Sequence, residues 1–306
     1  LYRCPVYDGA ADPILVWNPT RRAWWMLYTQ RRARLDLPSV EWCHQTKIGI
    51  AESTDGGLTW RYLRTAALQA PDEQHSFWAP DVIRDEAGIW HMFVSSIPGH
   101  HVDWGGEAHI LQYRSNDLEG WEFVGRLPLT SNRCIDASLF RMPNGVWRLW
   151  YKDESARSAT LAIESRDLKT WTPVSDPGVS RLYGEGPKIF SYKGFYWMLK
   201  DPNSGLDVYR STDLQSWTYQ GKILDKPGRR LDDGTIGKHA DVVVQGDEAT
   251  ILYFTHPYGQ DFPEKQGVLP YPARRSSIQA ARLDVVDGKL VCDRDAPFRI
   301  RLKPGG

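Results

Sequence analysis

The sequence predicts an all-β chain folded as a five-bladed β-propeller. Three observations carry that expectation. A Ser-x-Asp…Trp turn recurs, ending at Trp60, Trp121, Trp171 and Trp217. Five apolar segments each open a hairpin, and no stretch shows helical periodicity. Spacings of roughly 40–60 residues suit units that are small antiparallel sheets.

The first turn is "STDGGLTW", Ser53 to Trp60. The Ser53 hydroxyl and Asp55 can bond neighbouring backbone amides, and Gly56 and Gly57 accept positive φ. Trp60 is expected to plug the gap between adjacent sheets. "RSNDLEGW", "ESRDLKTW" and "RSTDLQSW" keep Ser-x-Asp and the Trp but lose one residue and the glycine pair. The five hairpins are "ADPILVWNPTRRAWWMLYTQ", "WAPDVIRDEAGIWHMFVSS", "IDASLFRMPNGVWRLWYKD", "EGPKIFSYKGFYWMLKD" and "HADVVVQGDEATILYFTHP". Turn-prone residues such as "PNG" and "KG" interrupt β-rich runs in each. The blades should therefore be headed near Asp12, Asp81, Asp136, Glu185 and Asp241.

With 306 residues and no Pro/Ser-rich linker, one propeller domain is expected to span 1–306. The 38 basic and 38 acidic residues cancel, which argues against a nucleic-acid partner. No apolar stretch reaches membrane-spanning length, and no signal-peptide pattern is visible, leaving localisation and oligomeric state open. Cys4, Cys43, Cys134 and Cys292 are widely spaced without metal-ligand pairing, so free and mostly buried thiols are expected. Fourteen Trp and fourteen Tyr lie largely in the repeats, where packing between blades explains them.

Inner strands of a propeller begin at the mouth of its central funnel. Carboxylates there are costly to desolvate unless they have a partner or a task. Asp12 precedes "PILVW", Asp136 sits within the apolar "CIDASLF", and Glu185 is framed as "YGEGPKIF". Singly, each has a bland reading as a turn or loop residue. Three carboxylates at the heads of three blades are a stronger signal of a functional site than any one of them.

"ADPILV", "FWAPDVI", "IDASLF" and "EGPKIF", in this order over nearly the whole chain, resemble the five-bladed propeller glycosidases that include glycoside hydrolase family 43. The resemblance implies a hydrolase acting on an oligosaccharide or polysaccharide, by inversion, removing a terminal pentose such as α-L-arabinofuranosyl or β-D-xylosyl. It implies Asp12 as general base, Glu185 as general acid and Asp136 as the group that tunes and positions Glu185. It also implies that His239 in "GKHADVVV" lies near the axis, beside water or a calcium or other ion held through water, with no cofactor required. Lys238 stands where such enzymes usually have Gly, and the insert "RRARLDLPSVEWCHQTK" lengthens blade one. A neighbouring branch of the same clan would share these features.

Among further residues, Trp78 and Trp104 could stack on a sugar face, or pack between blades. Arg274 and Arg275 in "YPARRSSIQ" stand where similar enzymes carry an Arg that reaches the sugar. The histidines of "IPGHHVDWGGEAH" fit no zinc spacing and suggest a rim loop. Arg31 to Arg34 are most simply a solvated loop, with the alternative that they shape a subsite, and His256 is expected as a rim or structural residue. The eight-residue turn has the spacing of the Asp-box of sialidase propellers, but a sialidase needs an arginine cluster, a Tyr–Glu pair and normally six blades. Fructofuranosidase, galactofuranosidase, anhydrogalactosidase and phosphorylase chemistries remain open, as does a non-enzymatic carbohydrate-binding propeller.

Overall fold

A computed structural model describes residues 1–69, 74–179 and 183–305. Five four-stranded antiparallel sheets follow one another along the chain, each a meander whose strands pair in sequence order. Blade one holds β1 (Ala10–Asn18), β2 (Ala23–Gln30), β3 (Lys47–Ser53) and β4 (Arg61–Thr65). Blade two holds β5 (His75–Arg84), β6 (Trp90–Pro98), β7 (His109–Ser115) and β8 (Glu122–Arg126). In blade three these are β9 (Cys134–Arg141), β10 (Trp147–Asp153), β11 (Ala159–Ser165) and β12 (Thr172–Pro173). Blade four comprises β13 (Glu185–Tyr192), β14 (Phe195–Asp201), β15 (Leu206–Ser211) and β16 (Thr218–Ile223). Blade five comprises β17 (Lys238–Gln245), β18 (Glu248–Thr255), β19 (Ser277–Val286) and β20 (Lys289–Val291). A 3₁₀ turn (Glu41–Cys43) and a one-turn helix, α1 (Tyr271–Arg274), are the helical pieces among the described residues.

The Ser-x-Asp turns join the two outer strands of blades one to four. In the first, Ser53 Oγ accepts from Gly57 N at 2.8 Å and Asp55 accepts from Thr59 N at 2.9 Å. The shorter turns repeat this: Ser115, Ser165 and Ser211 hydroxyls each accept a backbone N–H, and Asp117, Asp167 and Asp213 each accept two. Each turn ends in a Trp that packs into the apolar cluster between its own blade and the preceding one. Trp121 packs against blade one, Trp171 meets Phe93 edge to face, Trp217 joins the cluster between blades three and four, and Trp60 joins that between blades five and one.

No strand is shared across the ring closure, because β1 to β4 are all N-terminal. Closure comes instead from single bridges. Tyr2 pairs with Ile278, Gly9 with Ser276, and Leu302 N donates to Gly56 O at 2.9 Å.

All five inner strands are interrupted by a bulge at the equivalent place: at Asp12, Ala79, Asp136, Gly186 and His239 the ladder slips and φ is positive. Pro13, Pro80 and Pro187 follow three of these residues, where the ladder needs no donor. The displaced amides are taken up by the preceding blade. Ala79 N donates to Thr29 Oγ1, Asp136 N to Ser95 Oγ, Gly186 N to Asp136 Oδ2 and His239 N to Asp201 Oδ2, at 2.9–3.2 Å. Gly186 has a second constraint: a Cβ there would lie 2.8 Å from the His239 ring.

Two residues beyond the bulges, side chains meet on the axis. Lys188 of blade four reaches Asp241 of blade five at 2.8 Å and Asp81 of blade two at 3.2 Å. Asp241 also accepts Leu15 N of blade one at 2.8 Å, and Asp81 accepts Leu139 N of blade three at 2.7 Å. Asp81 and Asp241 were expected at the funnel mouth. They instead form this buried floor, since a two-residue step past the bulge carries them below it.

Removing Lys188's ammonium would leave two buried carboxylates without their cation, a loss worth about 3–5 kcal/mol. Lys188→Met should therefore lower the denaturant midpoint by a corresponding amount at unchanged m-value. A change below about 1 kcal/mol would show that the ring does not depend on this contact.

Candidate active site

The bulges turn their side chains into a cavity of about 590 Å³ at one end of the ring. Its wall includes Asp12, Asp136, Glu185 and His239 from the inner strands. Arg31, Lys152, Asp201 and Phe254 come from the ends of the second strands, and Trp42 and Cys43 from the blade-one insert. A surface groove of about 660 Å³ along the blade-two turn differs in kind, since its Arg114 is already paired with Glu122.

Positive φ is tolerated by Asp because its short polar side chain can bond nearby backbone. Asp12, at φ 51°, is buried and faces Arg31 and His239: Arg31 Nη2 lies 3.5 Å from Oδ2, and His239 Nδ1 lies 3.5 Å from Oδ1. Asp136, at φ 60°, is buried and accepts Gly186 N at 3.0 Å. Burial raises its pKa to about 6; Glu185 and Asp12 add to the rise, while His239 and Lys152 oppose it. Glu185 opens β13 with its side chain 45% exposed, and Lys152 Nζ donates to Oε2 at 2.9 Å. Lys152 has a second partner, Glu154, at 3.3 Å. Burial works against the Lys152 charge, but Glu185 and Asp136 outweigh it and hold the ammonium firmly protonated.

His239 sits among Asp12, Asp136, Glu185 and Asp201. Burial is the largest single influence and disfavours its charge, yet together those carboxylates raise its pKa above the ordinary value. Asp201 had drawn no notice in the sequence. It ends β14 directly across from Glu185, is buried, and accepts His239 N at 3.2 Å and Asn203 N at 2.7 Å. Burial, then Glu185, raises its pKa to about 6. Its terminal place in "FYWMLKD" gave no sign of function, because only strand pairing brings it opposite Glu185.

The expected binding residues divide. Trp78 lines the cavity, half-buried, and donates from Nε1 to Cys43 O at 2.7 Å; Trp104 lines it 55% exposed, 6.0 Å from Trp78. Arg274 and Arg275 do not line it, contrary to expectation. Arg274 is buried against Leu35 O and Asp36, while Arg275 is held by Asp232 at 2.7 Å and stacks on Tyr258. The Leu35 carbonyl and Asp36 claim one guanidinium, and the buried Asp232 claims the other. The arginine of the cavity is Arg31, which was expected in a solvated loop but is packed over Phe254, 4.8 Å from the ring centroid. His256, expected as a rim or structural residue, is buried in the cavity wall rather than at the rim. The histidine-rich loop is dispersed: His101 bonds Pro98 O, His109 bonds Glu107, and His100 bonds Gln45. The four cysteines are free, three of them buried.

Among the described residues, no group of three His, Cys, Asp or Glu side chains is placed to hold a metal ion. His239 is already engaged with Asp12, and the axis below carries the Lys188 ammonium. This donor set does not fit a directly ligated ion, so an ion here would have to be held through water.

No known protein-family model matches the sequence, and no curated protein matches it. Solved structures do match in fold. A glycoside hydrolase family 43 β-xylosidase/α-arabinofuranosidase from a compost microbial metagenome, in complex with xylotriose, gives a TM-score of 0.67 at 12% identity over 94% of each chain. A family 43 enzyme from Xanthomonas citri, complexed with xylotriose, gives 0.62 at 14% identity over 93% of this chain and 89% of that one. A family 43 β-1,3-galactosidase with galactodeoxynojirimycin gives 0.64 at 13% identity over 93% of each. The fold shared with these enzymes is the five-bladed β-propeller.

The two raised carboxylates make a signed stability prediction. A folded pKa near 6 against 3.8 means that the native state binds more protons between those values. The contribution of each group to stability is therefore greatest at low pH and falls as pH rises through 6. Asp201→Asn should gain on the wild type by up to about 3 kcal/mol between pH 4 and pH 7, read from denaturant midpoints at each pH. A gap that stays constant with pH, or widens toward acid, would contradict the raised value.

Proposed function

We propose that the protein is a glycoside hydrolase whose reaction centre is Asp12, Asp136 and Glu185. The observation that carries this reading is the convergence of those three carboxylates, from three different blades, on one cavity beside His239. The shared fold with family 43 glycosidases supports it. The finer reading is an inverting, exo-acting removal of a terminal pentose, α-L-arabinofuranosyl or β-D-xylosyl. It is supported by the xylosidase and arabinofuranosidase activities named for one of the enzymes of like fold.

In this reading Asp12 removes a proton from water, whose oxygen attacks the anomeric carbon. The bond to the leaving oxygen breaks, and that oxygen takes the proton of Glu185. Asp12 ends protonated and Glu185 ionised, and exchange with solvent restores both. Arg31 and His239 hold the Asp12 carboxylate in place from two sides. Lys152 contacts Glu185 at Oε2 and Glu154 at the same time, at 2.9 and 3.3 Å. Asp136 and Asp201 stand beside Glu185 in the same wall, and Asp201 is its pair across the β13–β14 ladder. Trp78 and Trp104 offer aromatic faces at the opening.

A panel of aryl pentosides and hexosides, with NMR detection of the product anomer, tests both levels of this reading. Turnover of hexosides alone would refute the pentose while leaving the hydrolase. Asp12→Asn should lower turnover by about 10²–10⁴-fold. Glu185→Gln should slow glycosides with poor leaving groups far more than activated aryl glycosides, whose phenolate scarcely needs a proton. Equal slowing of both would remove Glu185 from the role of proton donor.

A further inference from the structure

The Glu185 carboxyl is held by one of its two oxygens. Lys152 Nζ donates to Oε2 at 2.9 Å, and among the described residues no other hydrogen bond reaches this side chain. Oε1 is thus free of protein partners, on a side chain that is 45% exposed and lines the cavity. Lys152 itself is buried; it lies in β10, paired with Ile135 directly before the Asp136 bulge.

Behind Lys152 stand two more charged groups. Nζ also donates to Glu154 Oε1 at 3.3 Å. Arg133 Nη2 donates to Glu154 Oε2 at 2.7 Å, and Glu154 N donates to Arg133 O at 2.9 Å. The same guanidinium donates to Gly106 O at 2.7 Å and to Trp104 O at 3.2 Å, in the loop after β6. A continuous chain of charge-assisted bonds therefore runs from blade two, through blade three, to the Glu185 carboxyl of blade four.

An ammonium has donors and no acceptor, so the oxygen it touches must accept. A carboxyl group that accepts at Oε2 carries its proton on Oε1, the oxygen the protein leaves free. The contact also strengthens along the reaction. With the proton on Glu185, Lys152 bonds a neutral carbonyl oxygen. Once the proton has passed to the leaving oxygen and its electron pair stays on Glu185, the same bond joins two opposite charges. An interaction that grows as charge develops lowers a barrier rather than merely binding.

We propose that Lys152, braced by Glu154 and Arg133, is a positioning residue for the proton donor: its ammonium occupies Oε2 of Glu185, so the proton given to the leaving oxygen sits on Oε1. This rests on the reading of Glu185 as general acid.

The test compares two aryl glycosides of the sugar that the wild-type protein turns over best, one leaving as a nitrophenol and one as phenol itself. Lys152→Met should slow the phenyl glycoside by about 10–10²-fold, in kcat rather than KM, and the nitrophenyl glycoside far less. In the Glu185→Gln protein, which has no proton to position, the same substitution should cost nothing further on the phenyl glycoside. Lys152→Arg should restore part of the loss. Glu154→Gln, which leaves Lys152 in place, should reproduce the pattern more weakly, and it carries the comparison if Lys152→Met does not fold. Equal slowing of both glycosides, or losses that add to that of Glu185→Gln, would overturn the proposal and leave Lys152 as a structural ion pair. If Glu185→Gln itself does not separate the two leaving groups, the proposal falls together with the reading of Glu185 as acid.

Discussion

The contact of Lys188 with Asp81 and Asp241 is the constraint on which the rest of the molecule depends. Three charges lie on the axis, where water does not compensate them, and a bare pair of carboxylates there would repel. One ammonium from blade four satisfies carboxylates from blades two and five, and those carboxylates accept amides from blades three and one. All five blades are thereby tied at one level. In a ring that closes without a shared strand, this tie adds to the apolar faces, the amide bonds at the bulges and a few terminal bridges by which neighbouring blades meet.

Above that level the five bulges repeat one local solution with different residues. A positive φ at a non-glycine position costs on the order of 1–3 kcal/mol, and such strain persists where the surroundings over-determine it. Here a hydroxyl or carboxylate of the preceding blade accepts the displaced amide in four of the five blades. The gain is directional. A bulge turns one side chain out of the sheet and toward the cavity, so Asp12, Asp136 and His239 point at a shared space rather than into the packed faces. Gly186 occupies the fourth equivalent place because the His239 ring stands where its Cβ would be, leaving Glu185, one residue earlier, to supply the carboxylate.

The cavity's charges are arranged as interleaved opposites. Asp12 lies between Arg31 and His239, and Glu185 lies against Lys152. Asp136 and Asp201 are the two carboxylates bound chiefly by backbone amides, and both titrate near neutrality.

The repeated turns, the apolar hairpins and the acidic strand heads were enough to specify five blades and to pick out Asp12, Asp136 and Glu185 by position. These signals are local: a turn needs its own Ser, Asp and Gly, and a buried inner strand needs a continuous apolar run. Asp201, Lys152, Arg31 and His256 were different. Each sits at the end of a second strand, and only the pairing of that strand with its neighbour brings it beside the inner-strand residues. The fate of the arginines was likewise decided by packing. Arg274 and Arg275 looked placed to reach a substrate, but the Leu35 carbonyl with Asp36 and the Asp232 carboxylate captured them, while Arg31, within a run that looked most simply solvated, is stacked on Phe254 and turned toward Asp12. Sequence determines which groups are available and which backbone shapes they permit. Which charge finds which partner is settled only in three dimensions, because desolvation and distance, not position along the chain, set the energy of a buried ion.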